Sequence, residues 1–223
     1  MRTRFYVIIA GLIGCTFGGC EKDTIVPQYN GFGDDYLQLQ LGTNWLYKVD
    51  SVFETSGGVL IADSYYVKET IIDSIQDGRT LIYSIDKVRN SDILGKYQWF
   101  DNYTLTLTDD RIIHNGADFK AIILTTPLVP KRSWMSAYDY SYDPTSTIES
   151  VHDFETINGK EYEKVVWVQH FFEFQFDYRR HHFTRFAKGV GVVEEMFYYG
   201  YYNRLANSLT STTLTKSLLK YAY

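Results

Sequence analysis

"TNWLYKVDSVFE", residues 43–54, alternates. Trp45, Tyr47, Val49 and Phe53 fall at odd positions, with Lys48, Asp50 and Glu54 at even ones. Successive side chains of a strand point to opposite faces, so a period of two predicts one face in a core and one in water. The rhythm recurs along the chain. "YTLTLT", residues 103–108, alternates without a break and stops at Asp109-Asp110, and Leu81, Tyr83 and Ile85 share one face. Further strands are expected over 65–74, 112–126 with a break at Gly116, 166–176, 183–186, 190–202 and 211–219. Gly57-Gly58, Asp77-Gly78 and above all Asn158-Gly159 are hairpin turns, because such pairs tolerate the positive φ that a tight turn between twisted strands requires. Short strands separated by turns predict an all-β domain: an antiparallel sandwich, a barrel or a strongly curved sheet, with little helix beyond the N-terminal apolar segment.

Composition agrees. Hydrophobic residues make up 45% of the 223 and aromatics 17%, including 20 Tyr and 14 Phe, which favours strands and allows a full core. A formal charge of −5 gives no electrostatic footprint for nucleic acid. Four prolines and no low-complexity tract argue for an ordered chain.

Outside the strands, the N-terminus carries its own message. Arg2 and Arg4 precede an uncharged run from Phe5 to Gly19, the charged and apolar regions of a secretory signal. A spanning helix needs about 20 apolar residues, more than this run offers. The chain's two cysteines follow as Leu12-Ile13-Gly14-Cys15 and Phe17-Gly18-Gly19-Cys20. Both resemble the lipobox of bacterial lipoproteins, in which cleavage precedes a cysteine that receives a diacylglycerol. Cys15 has the better lipobox letters. Cys20 has the better apolar length and is followed by Glu21-Lys22-Asp23, similar to the export signal of Bacteroidetes-type surface lipoproteins. Cys20 is the expected lipidation site, with Cys15 as the alternative. Residues 1–19 then form a signal peptide, 20–35 a lipidated tether, and 36–223 the β-rich domain. That domain has no cysteine, which excludes a disulfide framework within it. "LQLGTNWLYKVDS" (39–51) and "RFAKGVGVVEE" (185–195) likewise resemble Bacteroidetes-type envelope lipoproteins of unassigned activity. The resemblance implies attachment to a bacterial membrane, most simply the outer membrane, with the periplasmic or surface face open.

Candidate chemistry is sparse. No GxSxG elbow, HExxH helix or spaced Cys/His set occurs, so neither a metal nor any cofactor is expected. On strand 166–176, His170 shares a face with Val168, Phe172 and Phe174 and is expected to be a hydrogen-bonded core residue. His181-His182, beside Arg179 and Arg180, is expected at a solvated hairpin end. Glu194-Glu195 and the other acidic pairs are expected on the surface. Gly189 and Gly191 suggest a bulge or tight turn. "SWMSAYDYSYDP" (133–144) interleaves Trp134, Tyr138, Tyr140 and Tyr142 with carboxylates, a pattern suited to stacking on a glycan or an envelope protein; an edge strand packed on the sheet gives the same letters. The functional expectation is a lipid-anchored, non-enzymatic binding or scaffolding protein. One alternative is a carrier of an apolar ligand in a concave sheet or barrel. Another is an envelope hydrolase with paired carboxylates. A carrier requires an internal cavity, and a hydrolase requires converging carboxylates or a His–carboxylate pair.

Overall fold

A computed structural model of the chain describes residues 36–37, 39–93, 95–117, 120–136, 145–174 and 177–222. Twelve strands run in sequence: β1 (Asn44–Glu54), β2 (Leu60–Asp77), β3 (Thr80–Asn90), β4 (Gln98–Leu107), β5 (Arg111–Asn115), β6 (Lys120–Thr125), β7 (Ser133–Met135), β8 (Thr145–Ile157), β9 (Lys160–Phe174), β10 (Tyr178–Ala187), β11 (Gly191–Asn203) and β12 (Ser208–Ala222). They form one antiparallel sheet in the order β6-β5-β4-β3-β2-β1-β12-β11-β10-β9-β8-β7. Each strand pairs with its sequence neighbours, except that β6 does not ladder onto β7, and β1 pairs in addition with β12. The sheet curls until these two edges meet, giving a nearly closed barrel. Hydrogen bonds between described residues cross the seam. Ile122 N donates to Ser136 O (2.6 Å), Trp134 Nε1 to Ile122 O (2.9 Å) and Arg132 Nε to Thr125 Oγ1 (3.2 Å).

The period-two segments place the core inside the barrel. Trp45, Tyr47 and Val49 of β1 are buried, as are Leu81, Tyr83 and Ile85 of β3 and Leu105 and Leu107 of β4. Each fully buried aliphatic side chain contributes about 1.5–3 kcal/mol, so this inner face drives the curl. Asn158 (φ 51°) and Gly159 (φ 76°) make the β8–β9 turn that their sequence predicts. Phe53, expected on the inner face of β1, is instead 41% exposed. Here the β1–β2 hairpin runs past the barrel wall, and its partner residues Leu60 and Ile61 are exposed too.

One end of the barrel is plugged. Tyr36, Leu37 and Leu39 are buried there, and a Cβ on Gly191 would lie 2.7 Å from Leu37 Cδ2. Gly191 has φ +95° and adjoins a register shift between β10 and β11, so its glycine serves both the turn and the close approach of Leu37. Trp45 Nε1 donates to Val190 O (2.7 Å) and Tyr47 OH to Val192 O (3.1 Å), fixing β1 against this end. The β1–β2, β3–β4, β9–β10 and β11–β12 connections lie at the opposite end.

Candidate functional site

A cavity of about 850 Å³ occupies the barrel interior. It runs from the plug, at Leu37, Phe186 and Val192, toward the other end, at Phe100 and Tyr199. Those last two rings are 46% and 37% exposed, so the cavity reaches solvent there. We call this end the mouth. Much of the wall is apolar, with Val49, Val67, Leu105, Ile123 and Leu214 among its residues.

A belt of polar side chains crosses this wall. Glu69 belongs to the inward series Tyr65, Val67, Glu69, Ile71 of β2; Lys216 sits between Leu214 and Leu218 of β12; Glu195 lies between Val193 and Phe197 of β11. Lys216 and Glu195 are directly opposed across β11–β12. Lys216 Nζ lies 2.8 Å from Glu69 Oε1 and 3.8 Å from Glu195 Oε2, and stands over the Tyr47 ring at 4.1 Å from its centroid. Tyr103 OH donates to Glu69 Oε2 (3.0 Å), and His182 Nε2 bonds Glu195 Oε1 (2.9 Å). The His114 ring stacks on Tyr103, with centroids 4.4 Å apart. One connected network thus spans strands from β5 to β10.

Electrostatics hold the acids ionised. Burial pushes the Glu69 carboxyl up, but attraction to Lys216 and Lys87 and the bonds from Lys216 and Tyr103 outweigh it, and its pKa ends below the usual range. Glu195 behaves alike: burial opposes the charge, while His182 and Lys216 more than compensate and hold it well down. Burial pulls Lys216 down, but its two carboxylates win and keep it above the ordinary lysine value. Burial raises the Tyr47 and Tyr103 phenols well above normal, with Glu69 adding to it. Two acids converge here, as a hydrolase requires. Glycosidase chemistry also requires one carboxyl of raised pKa to donate a proton. Both are depressed, so neither carboxyl is poised to donate a proton near neutral pH.

His170 is buried, as expected, and bonds Ser146 Oγ through Nδ1 (3.2 Å) and Thr184 Oγ1 through Nε2 (2.9 Å). Burial, with some repulsion from His182, lowers its pKa to about 3. Such a weak base, against a fully buried Ser146, is poorly suited to activating a nucleophile near neutral pH. Its expected neighbours need correction. The β9–β10 register shifts between His182 and Phe183, opposing Phe171 and Gln169 in turn. His170 is the extra residue of that bulge. The shift sends Phe171 to the cavity and leaves Phe172 62% exposed.

The His181-His182 expectation also fails. The pair lies within β10, not at a hairpin end, and strand alternation separates the two rings. His182 and Arg180 face the cavity, whereas His181 packs by Phe172 and Phe183. Glu194-Glu195 divides in the same way. Glu195 turns in, while Glu194 binds Arg185 (2.7 Å), whose guanidinium lies 3.6 Å from the Trp167 ring. The pair is therefore not simply surface-solvated.

Trp134 is half-buried, packed against the core and hydrogen-bonded across the seam. Tyr138, Tyr140, Tyr142, Cys15 and Cys20 lie outside the described residues. Sequence reasoning missed Glu69, Lys216 and Tyr103. Their signal was a charged or hydroxyl group at an inward position of an otherwise apolar strand face. Among the described residues, no group of three or more His, Cys, Asp or Glu side chains could hold a metal ion.

No family model and no curated protein matches the chain. Among solved structures, it is similar to a Bacteroides fragilis protein described as exported and as having a YmcC-like fold. The identity is 9% and the TM-score 0.48, over 83% of this chain and 99% of that one. It is also similar to a Parabacteroides distasonis protein described as a lipoprotein, at 11% identity and a TM-score of 0.43, over 83% of this chain and 98% of that one. A DUF1329 family protein from Desulfovibrio piger aligns at 11% identity and a TM-score of 0.20, over 83% and 88% of the two chains.

Proposed function

We propose that the protein is an envelope-anchored carrier whose barrel holds one amphiphilic small molecule. The observation that carries this reading is the 850 Å³ cavity, apolar along much of its wall and crossed by a fixed polar belt. Ligand sites commonly have about 300–1,000 Å³, mostly apolar walls and a few placed polar groups. If each non-hydrogen atom takes about the volume of a water, on the order of 20–30 atoms fit. The belt would orient the polar part of the ligand, and the apolar wall would cover the rest. Anchoring through Cys20 would hold the carrier at a bacterial membrane, most simply the outer one.

Two measurements test this. The full chain is titrated with a neutral environment-sensitive dye, alongside an Ala121→Phe variant that narrows the cavity. Saturable binding is expected, at least tenfold weaker in the variant, with the melting temperature nearly unchanged. Equal binding by both would place the dye elsewhere and defeat the carrier reading. For the anchor, Cys20→Ser is expected to abolish detergent-phase partitioning and precursor processing. Retention of both would move the lipid to Cys15 or remove it.

A further inference from the structure

We infer that the ligand carries a single negative charge on an aliphatic body, a long-chain carboxylate, and that Lys87 of β3 receives that charge. The inference deepens the carrier reading and rests on it. Lys87 lines the cavity and is half-buried. Its two cross-strand neighbours are acidic, Glu69 on β2 and Asp101 on β4. Neither makes a hydrogen bond or ion pair with it, although the Lys87 charge helps to hold Glu69 ionised. Glu69 turns Oε1 to Lys216 and Oε2 to Tyr103, while Asp101 Oδ1 accepts from Asn102 N (2.8 Å). Lys87 makes no hydrogen bond and no ion pair within 4.0 Å among the described residues; its ammonium lies 5.4 Å from the centroid of Phe100 at the mouth. The other lysine of the wall, Lys216, is saturated by two carboxylates. Arg180, across the mouth, lies 3.9 Å from Glu173.

Among the described residues, the cavity therefore presents one ammonium with unused hydrogen-bond donors above an apolar well, while the buried acids Glu69 and Glu195 are already matched. At Glu69 and Glu195 a cationic ligand would have to displace Lys216, and at Asp101, the third acid of the wall, it would meet the like charge of Lys87 opposite. A neutral ligand would leave a half-desolvated ammonium without a hydrogen-bonded counter-charge. An anion bound at Lys87 gains a charge-assisted hydrogen bond, about twice as strong as a neutral one. Its chain can then run past Leu105 and Leu214 toward Phe186.

The test uses three probes with the same alkyl chain, decanoate, decanol and decylammonium, titrated calorimetrically into the full chain below their micelle concentrations. Decanoate is expected to bind at least tenfold more tightly than decanol, and decylammonium more weakly than either. Lys87→Met should erase the preference for decanoate and leave decanol binding unchanged, whereas Lys87→Arg should keep the preference. Unchanged decanol affinity also shows that the methionine variant is folded. Equal affinities for decanoate and decanol, a preference for decylammonium, or a decanoate preference that survives Lys87→Met would each overturn the inference while leaving the carrier intact. Binding of none of the three would overturn the carrier reading itself.

Discussion

Replacing Lys216 by Met would leave Glu69 and Glu195 facing each other without their shared cation. Glu69 is 5% and Glu195 35% exposed in their side chains, so water screens the first hardly at all. Both reach one Nζ, which limits their separation to at most about 6.6 Å, the sum of the two contact distances. At an effective dielectric of about 20, their repulsion is then roughly 2.5 kcal/mol or more. Breaking a buried pair by removing one partner costs about 3–5 kcal/mol in general, and the same range is expected here at pH 7. The pH dependence is the sharper signature. In the native protein both carboxyls have depressed pKa values, so their stabilisation is present above the normal carboxylate range and is lost progressively as pH falls below it toward the depressed values. In the variant, repulsion and burial push one carboxyl upward, and protonating it relieves the strain. The cost of Lys216→Met, measured by urea unfolding as a difference from the native chain, should therefore shrink by about 1–2 kcal/mol between pH 7 and pH 5. Lys216 also helps to lower His114, so both proteins are compared in a His114→Phe background, which removes that contribution. Replacing all three residues, with Glu69→Gln, Lys216→Met and Glu195→Gln, should cost less than the single change. A single-variant cost below about 1 kcal/mol, or one that is flat with pH, would refute the network as described.

Three further outcomes are expected. His170 and His114 titrate near 3 and 4 because burial disfavours their charged forms, so the stability they contribute is complete above about 6.5 and is lost as pH falls toward those values. Each should cost about 2 kcal/mol by pH 5, and His114→Phe should roughly halve the acid slope seen in unfolding curves; an unchanged slope would exclude His114 as a contributor. Gly191→Ala meets both φ +95° and the Leu37 contact, so a loss of at least about 1–2 kcal/mol is expected in a thermal melt, with neutrality as the refuting result. Trp134→Phe removes the seam hydrogen bond to Ile122 and should cost about 1 kcal/mol while hastening amide exchange in β6 first; faster exchange confined to β3 would contradict the seam.

The strands were legible where one face is uniformly apolar. β1, β3 and β4 announce themselves through Trp45-Tyr47-Val49, Leu81-Tyr83-Ile85 and Leu105-Leu107. β8 was missed because its inward residues include Ser146 and its outward ones are a mixture of Thr, Glu, His and Asp, so the period is present in space but not in hydropathy. Sandwich and barrel were equally compatible with the sequence. The deciding contact, β1 with β12, joins segments that no local pattern links. The site was less legible than the fold. Glu195 and His182 were visible as letters, but their neighbours Glu194 and His181 face outward, and only the strand phase distinguishes the members of each pair. The bulge at His170 shifts that phase by one residue, which is why Phe172 was assigned to the wrong side.

Eleven residues of β1 are laddered to β12, with Asn44 opposite Ala222 and Glu54 opposite Ser211. Hairpins such as β8–β9 close within a few residues and can form as soon as both arms exist. The first and last strands instead must find each other across nearly the whole chain, and such distant closure is the slow step in β-rich folding. A polypeptide synthesised N-terminus first would hold the inner face of β1 unsheltered until β12 arrives. The edge awaiting β12 is Trp45-Tyr47-Val49, an aromatic strand with free backbone groups of the kind that templates aggregation. The longest-lived hazard in this protein's biogenesis is therefore its first strand, and a chaperone that shields Asn44–Glu54 until β12 is made should raise its yield more than one acting on any hairpin.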